Sequence, residues 1–181
     1  MKIIDKFIKK TLLLLYALIN QINFHFKFRT IDIFLNKLRI GLLRMCGAKI
    51  GNNSSIHPKV MILMPQNLIV GNNSNIGSNS EIFNYSKFTI GNNVDIGTQL
   101  YVNTNNHITA DPTKPLAYQG SISKEIKIGS DIWIGARVTI LSDTIIEDRV
   151  IIGAGSVINK NLKSGYLYAG VPAKPKKEIN K

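Results

Sequence analysis

The chain has 181 residues, a formal net charge of +12, 44% apolar residues and one cysteine, Cys46. A lone cysteine excludes an internal disulfide framework and fits a cytoplasmic setting. The positive balance favours anionic partners such as membrane phosphate or a phosphorylated cofactor. Because the basic residues are spread without an interleaved basic-aromatic patch, nucleic acid is not expected as a partner.

Residues 1–46 read as a helical cap segment. Lys2–Phe28 mixes lysine with Ile, Leu and Phe at helical spacing, with Ile8, Leu12, Leu15 and Ile19 on one face. Ile31–Met45 reads as a second amphipathic helix, with Ile31, Phe34, Leu35, Leu38 and Leu42 at helical spacing. Residues 1–45 hold nine Lys or Arg against two Asp. The apolar run from Leu12 to Ile19 is too short to span a bilayer, and no signal peptide is evident. Two compatible readings follow: a cap over the open end of the next domain, and peripheral contact with an anionic membrane, at its inner face for a cytoplasmic protein.

Residues 47–181 are dominated by a six-residue period. Ile128, Ile134, Ile140, Ile146, Ile152 and Ile158 recur every six positions, and glycine follows at Gly129, Gly135 and Gly153. Upstream, Ile50, Ile56 and Ile62, then Val70, Ile76 and Ile82, then Ile90, Ile96 and Val102 hold registers that start 20 residues apart. This period fits neither a helix nor a long alternating strand; it reads as a parallel β-helix. Each aliphatic residue points inward and stacks on its equivalents, while Asn52, Asn53, Asn72, Asn73, Asn92 and Asn93 serve corners that need left-handed backbone angles. Three hexads make 18 residues, so two extra residues widen a corner near Met64–Asn67 and again near Tyr85–Lys87.

The one large break separates Val102 from Ile128, 26 positions apart where six suffice. Residues from about Thr104 to Lys124 therefore leave the coil as an excursion. Pro112, Pro115 and Gly120 argue against regular structure there, and long loops in compact arrays usually carry function. His107 sits at the base of this excursion. His25 and His57 read as structural. Beyond Gly165 the period is lost; Ala169–Ala173 reads as a turn and Lys174–Lys177 as a basic run with helical character.

These segments resemble the hexapeptide-repeat acyltransferases that form a left-handed parallel β-helix. The similarity is greatest to the branch of galactoside and maltose acetyltransferases and colanic-acid-type polysaccharide O-acetyltransferases. IGNNVDIG at Ile90–Gly97, His107 within the excursion, IGSDIWIGARVTI at Ile128–Ile140, IIGAGSVINKNL at Ile151–Leu162 and AGVPAKPKKEI at Ala169–Ile179 carry it. The resemblance implies an all-β solenoid with left-handed winding, against the usual crossover preference. It also implies a homotrimer with sites between neighbouring subunits, acetyl-CoA as co-substrate, no metal, and a saccharide acceptor in surface polysaccharide biosynthesis. It assigns His107 as general base, Asn84 and Trp133 to the acceptor or acetyl end, and Ala136, Ala154, Asn159, Lys160, Lys174 and Lys177 to the cofactor. Asn159 departs from the Thr or Ser usual before the lysine.

Such a base removes the acceptor proton as the thioester is attacked, typically worth ~10²–10⁴ in rate. N-acetylation of an amino sugar or drug uses the same base and groove. A non-catalytic β-helix scaffold needs neither His107 nor the tail motif. A γ-type carbonic anhydrase needs three clustered zinc-binding histidines, and this chain holds only three, at 25, 57 and 107.

Overall fold

The computed structural model describes residues 2–22 and 29–179, with side chains from Phe7 to Ile22 and from Thr30 onward. His25 and the end of the first expected helix lie outside the described residues. Short strands wind into a left-handed parallel β-helix, a three-faced prism. The first face holds five strands, from Lys49–Ile50 to Thr144–Ile146, and the third holds five, from Met61–Ile62 to Val157–Ile158. The second face holds seven, from Ser55–Ile56 to Tyr166–Ala169 and Lys174–Glu178.

Every hexad aliphatic named above is buried, and together they form one continuous core. The coils stack in register, so that Ile50 pairs with Val70, Val70 with Ile90, Ile90 with Ile128 and Ile128 with Ile146. The two-residue surplus sits where expected. Pro65–Asn67 forms a 3₁₀ turn at the edge between the third and first faces, and Asn84–Lys87 fills the same edge one coil later.

The paired asparagines divide their work. Asn53, Asn73 and Asn93 take left-handed angles, with φ between 53° and 56°. Their partners form a ladder: the backbone N–H of Asn52 donates to Asn72 Oδ1 (2.8 Å), and that of Asn72 to Asn92 Oδ1 (2.7 Å). Ser130 Oγ and Asp148 Oδ1 continue it. At other corners Lys59, Gln99, Arg137 and Arg149 adopt positive φ, so the coil geometry overrides residue preference there.

Two helices, α1 (Lys2–Gln21) and α2 (Arg29–Met45), cover the first coil. Their side chains complete its backbone hydrogen bonding, which no preceding coil can do. Tyr16 Oη and Asn20 Nδ2 donate to the Val60 carbonyl at 2.7 and 2.8 Å. Asn36 Oδ1 accepts from the Ile56 N–H, Arg39 Nε donates to the Ile56 carbonyl, and Arg44 to that of Ile50. The expected helix faces are rotated. In α1 the inner face is Leu12, Tyr16, Ile19 and Asn20, while Ile8 and Leu15 are exposed. In α2 the inward residues include Leu35, Arg39, Leu42 and Leu43, while Ile31, Phe34 and Leu38 face outward. The first coil offers unpaired carbonyls as well as apolar surface, so polar side chains that reach them set the orientation. Among the described residues no helix is long and apolar enough to cross a membrane.

At the other end Tyr168 takes the core position of a sixth, partial coil, paired with Ile152. The expected helical character of Lys174–Lys177 is corrected: Lys174–Glu178 is a strand, antiparallel to Tyr166–Ala169. Pro175 disfavours helix at the preceding residue, and the strand covers an edge otherwise left open.

Candidate active site

The excursion is pinned at its neck. Buried Thr104 accepts the Ser86 N–H on its hydroxyl (2.9 Å), and its carbonyl accepts the Lys124 N–H (2.9 Å). From this neck two short arms run antiparallel, Asn105–His107 and Ser121–Ser123, with His107 opposite Ser121. Regular structure thus exists where none was expected, because Pro112, Pro115 and Gly120 all lie beyond the arms. Asp111 organises the tip. Its carboxylate accepts from the Thr113 N–H (3.0 Å) and hydroxyl (2.6 Å) and pairs with Lys114 (3.1 Å). The bonds from Thr113, with help from Lys114, hold that carboxyl below its usual range. Gln119, which nothing in the sequence marked, ties the tip together: its amide donates to the Asp111 and Lys114 carbonyls and accepts the Asp111 N–H.

His107 is exposed. Its backbone N–H donates to Asn106 Oδ1 at 3.0 Å, but its ring meets no hydrogen-bond partner among the described residues. Asp111, four residues on, is engaged with Thr113 and Lys114.

Beside the excursion a cavity of about 480 Å³ opens at the edge between the third and first faces. Asn106, Ile122 and Lys124 form one wall and Ser142, Asn159 and Lys160 another. Asn159 and Lys160 are therefore brought alongside the residue preceding His107.

The other candidates lie on the second face or its far edge. Trp133, Ile151, Leu167 and Lys177 follow one another in register as a single outward row. Three strand spacings put Trp133 and Lys177 about 14 Å apart. Trp133 is 57% exposed, so it belongs to the surface and not the core. Lys174 is exposed opposite Ala169. Ala136 and Ala154 stack one coil apart at the edge between the second and third faces, where the Gly155 N–H donates to the Ala136 carbonyl (2.9 Å). Coils approach so closely here that a Cβ on Gly135 would stand 2.6 Å from the Ala154 nitrogen.

Asn84 lies inside the coil. It is fully buried, its Oδ1 accepts the Met64 N–H (2.9 Å) and its Nδ2 donates to the Met64 carbonyl (2.7 Å). Within the chain its amide holds the widened corner. A larger cavity of about 810 Å³, not anticipated, lies between α2 and the second face, lined in part by Lys37, Arg39, Asn52, His57 and Thr98. None of its lining residues belongs to the excursion that carries His107. Among the described residues no three His, Cys, Asp or Glu side chains gather to hold a metal ion.

Comparison with known proteins agrees with this architecture. The bacterial transferase hexapeptide family (six repeats) matches residues 125–160, and the hexapeptide repeat of succinyl-transferase matches residues 67–104. Two stretches of the chain thus match hexapeptide-repeat models. It is 31% identical over 90 residues to the candidate lipopolysaccharide biosynthesis O-acetyl transferase WbbJ of Escherichia coli, a match covering 46% of each chain. The matched segment thus spans under half of that relative. Among solved hexapeptide-repeat structures, the acetyltransferase VCA0836 of Vibrio cholerae, complexed with acetyl-CoA, superposes with a TM-score of 0.79 at 24% identity, over 96% of this chain and 88% of that one. A galactoside acetyltransferase in complex with coenzyme A superposes with a TM-score of 0.76 at 26% identity, over 97% and 81%.

Proposed function

We propose that the chain is an acetyl-CoA-dependent O-acetyltransferase acting on a saccharide hydroxyl in surface polysaccharide biosynthesis, with His107 as general base. The position of His107 carries this reading: an exposed imidazole without an internal partner, held on the neck arm of the one long excursion. The cavity that reaches Asn159 and Lys160 opens beside that arm. The donor and acceptor classes come from the relatives, two of whose structures hold acetyl-CoA or coenzyme A, and from the O-acetyl transferase description of WbbJ.

In this mechanism the imidazole takes the acceptor hydroxyl proton as the oxygen attacks the thioester carbonyl carbon. The tetrahedral intermediate collapses, the C–S bond breaks, and the leaving thiolate takes the proton back from the imidazolium. No acyl-enzyme is needed, and Cys46 is buried at the end of α2. The donor set suits a long anionic co-substrate. Exposed Lys160, Lys174 and Lys177 are cations for its phosphates, and the Ala136–Ala154 edge offers backbone groups to its pantetheine arm.

The candidates lie on separate edges of one prism, with the third face between them. A homotrimer, in which one subunit's excursion faces a neighbour's second-face row, unites them.

Thiol release from acetyl-CoA, measured with a panel of sugars, tests the reading. A sugar should stimulate release, and His107→Ala should lower the stimulated rate by about 10²–10⁴ while CoA binding persists. Full activity in His107→Ala removes the base assignment. Stimulation by amino sugars alone assigns N-acetylation, and a folded protein that does not bind acetyl-CoA overturns the enzyme reading.

A further inference from the structure

Helix α1 carries apolar residues on two sides, and the fold uses one of them. Its inner side rests on the first coil through Leu12, Tyr16, Ile19 and Asn20. At about 100° per residue, the opposite sector holds Phe7, Leu14 and Leu18, Ile8 and Leu15 lie between the two sides, and Ile22 follows the helix end. All six are exposed, Phe7 at 71% and Leu18 at 69%. Helix α2 adds an exposed stripe of Ile31, Phe34, Leu38 and Met45 at helical spacing. Of the 21 large hydrophobic residues exposed among the described residues, 11 lie between Phe7 and Met45. An apolar concentration of this kind marks an interaction surface.

The charge around it selects the partner. Residues 1–45 hold nine basic and two acidic residues, a net +7. Lys10 lies on the flank of α1 between its two apolar sectors. A second copy docked through this surface would set one excess of positive charge against another. An anionic bilayer complements it: an apolar helix face enters the acyl boundary while lysines at its border meet lipid phosphates.

We propose that α1 lies in the plane of an anionic membrane surface, with Phe7, Leu14 and Leu18 inserted and the α2 stripe beside them. The first coil of the solenoid then faces the bilayer and the excursion projects from the side of the prism. This inference is independent of the acetyl-transfer reading, since lipid binding needs neither His107 nor acetyl-CoA.

Co-sedimentation of the full-length protein with vesicles tests it, using phosphatidylglycerol mixed with phosphatidylethanolamine against phosphatidylcholine alone. The protein should partition at least about tenfold more strongly onto the phosphatidylglycerol vesicles, and added salt should weaken that binding. Leu14→Ser with Leu18→Ser should lower partition by about tenfold or more; both residues are exposed, so the inner face of α1 remains intact. Lys10→Glu should weaken binding to the anionic vesicles alone. Circular dichroism and light scattering check that the variants stay folded and keep their mass. Partition that is absent, or equal in wild type and the leucine variant, overturns the proposal. A variant whose mass changes in solution while lipid binding does not assigns the surface to contact between copies.

Discussion

Asn84 and His107 show how differently a motif position translates into a side chain's work. Both are placed by resemblance, but Asn84 turns inward to close a double hydrogen bond with the Met64 backbone. His107 stands exposed on an arm whose hydrogen bonds leave its ring free. The long departure from a strict period marks the excursion, so His107 is legible in the sequence. The burial of Asn84 depends on a corner built by residues 20 positions earlier, and one hexad cannot announce it. Asp111 supports a prediction at this scale. Its folded-state pKa lies below the ordinary 3.8, so its contribution to loop order is fully present above that value and is lost as pH falls through the lower one. The Thr113 amide resonance should therefore titrate with a midpoint under 3.8, and that titration should vanish in Asp111→Asn. A midpoint at or above 3.8 counts against the arrangement.

Among the elements, α1 separates periodicity from orientation. Its helix is evident in the sequence, yet apolar residues on both sides leave its inward face undetermined. Tyr16 and Asn20 decide it by reaching the Val60 carbonyl, an acceptor left over by the first coil. Tyr16→Phe should destabilise the protein by about 0.5–1.5 kcal/mol, because Asn20 keeps that carbonyl satisfied. Urea denaturation measures this; a loss above about 3 kcal/mol would mean that the cap depends on the one hydroxyl. The excursion follows the same logic. Its prolines limit the tip to a 3₁₀ turn at Leu116–Tyr118, while the arms beside the neck are free to pair. The closing lysine run becomes a strand because the last coil presents an open edge.

For the whole molecule, a single prism keeps the candidate residues apart. His107, Asn159 and Lys160 share one edge; Trp133, Lys174 and Lys177 share the second face. If neighbouring subunits complete each other's sites, His107→Ala and Lys177→Ala variants should complement. Mixed under conditions that exchange subunits, the two weak proteins should recover activity above either alone, most clearly at low acetyl-CoA. Unmixed Lys177→Ala should show a raised KM for acetyl-CoA with kcat little changed. No recovery on mixing would place the whole site within one chain.

The sequence by itself determined the β-helix, the widened corners, the helical prefix, the excursion and the place of His107. Each is written in spacing along the chain, and a repeat whose contacts are all with the next coil turns spacing directly into structure. Tertiary structure decided the inward faces of α1 and α2, the burial of Asn84, the bracing of the excursion by Gln119 and the strand that ends the solenoid. These depend on which backbone groups a finished coil leaves unpaired, a property that exists only once the coils have stacked.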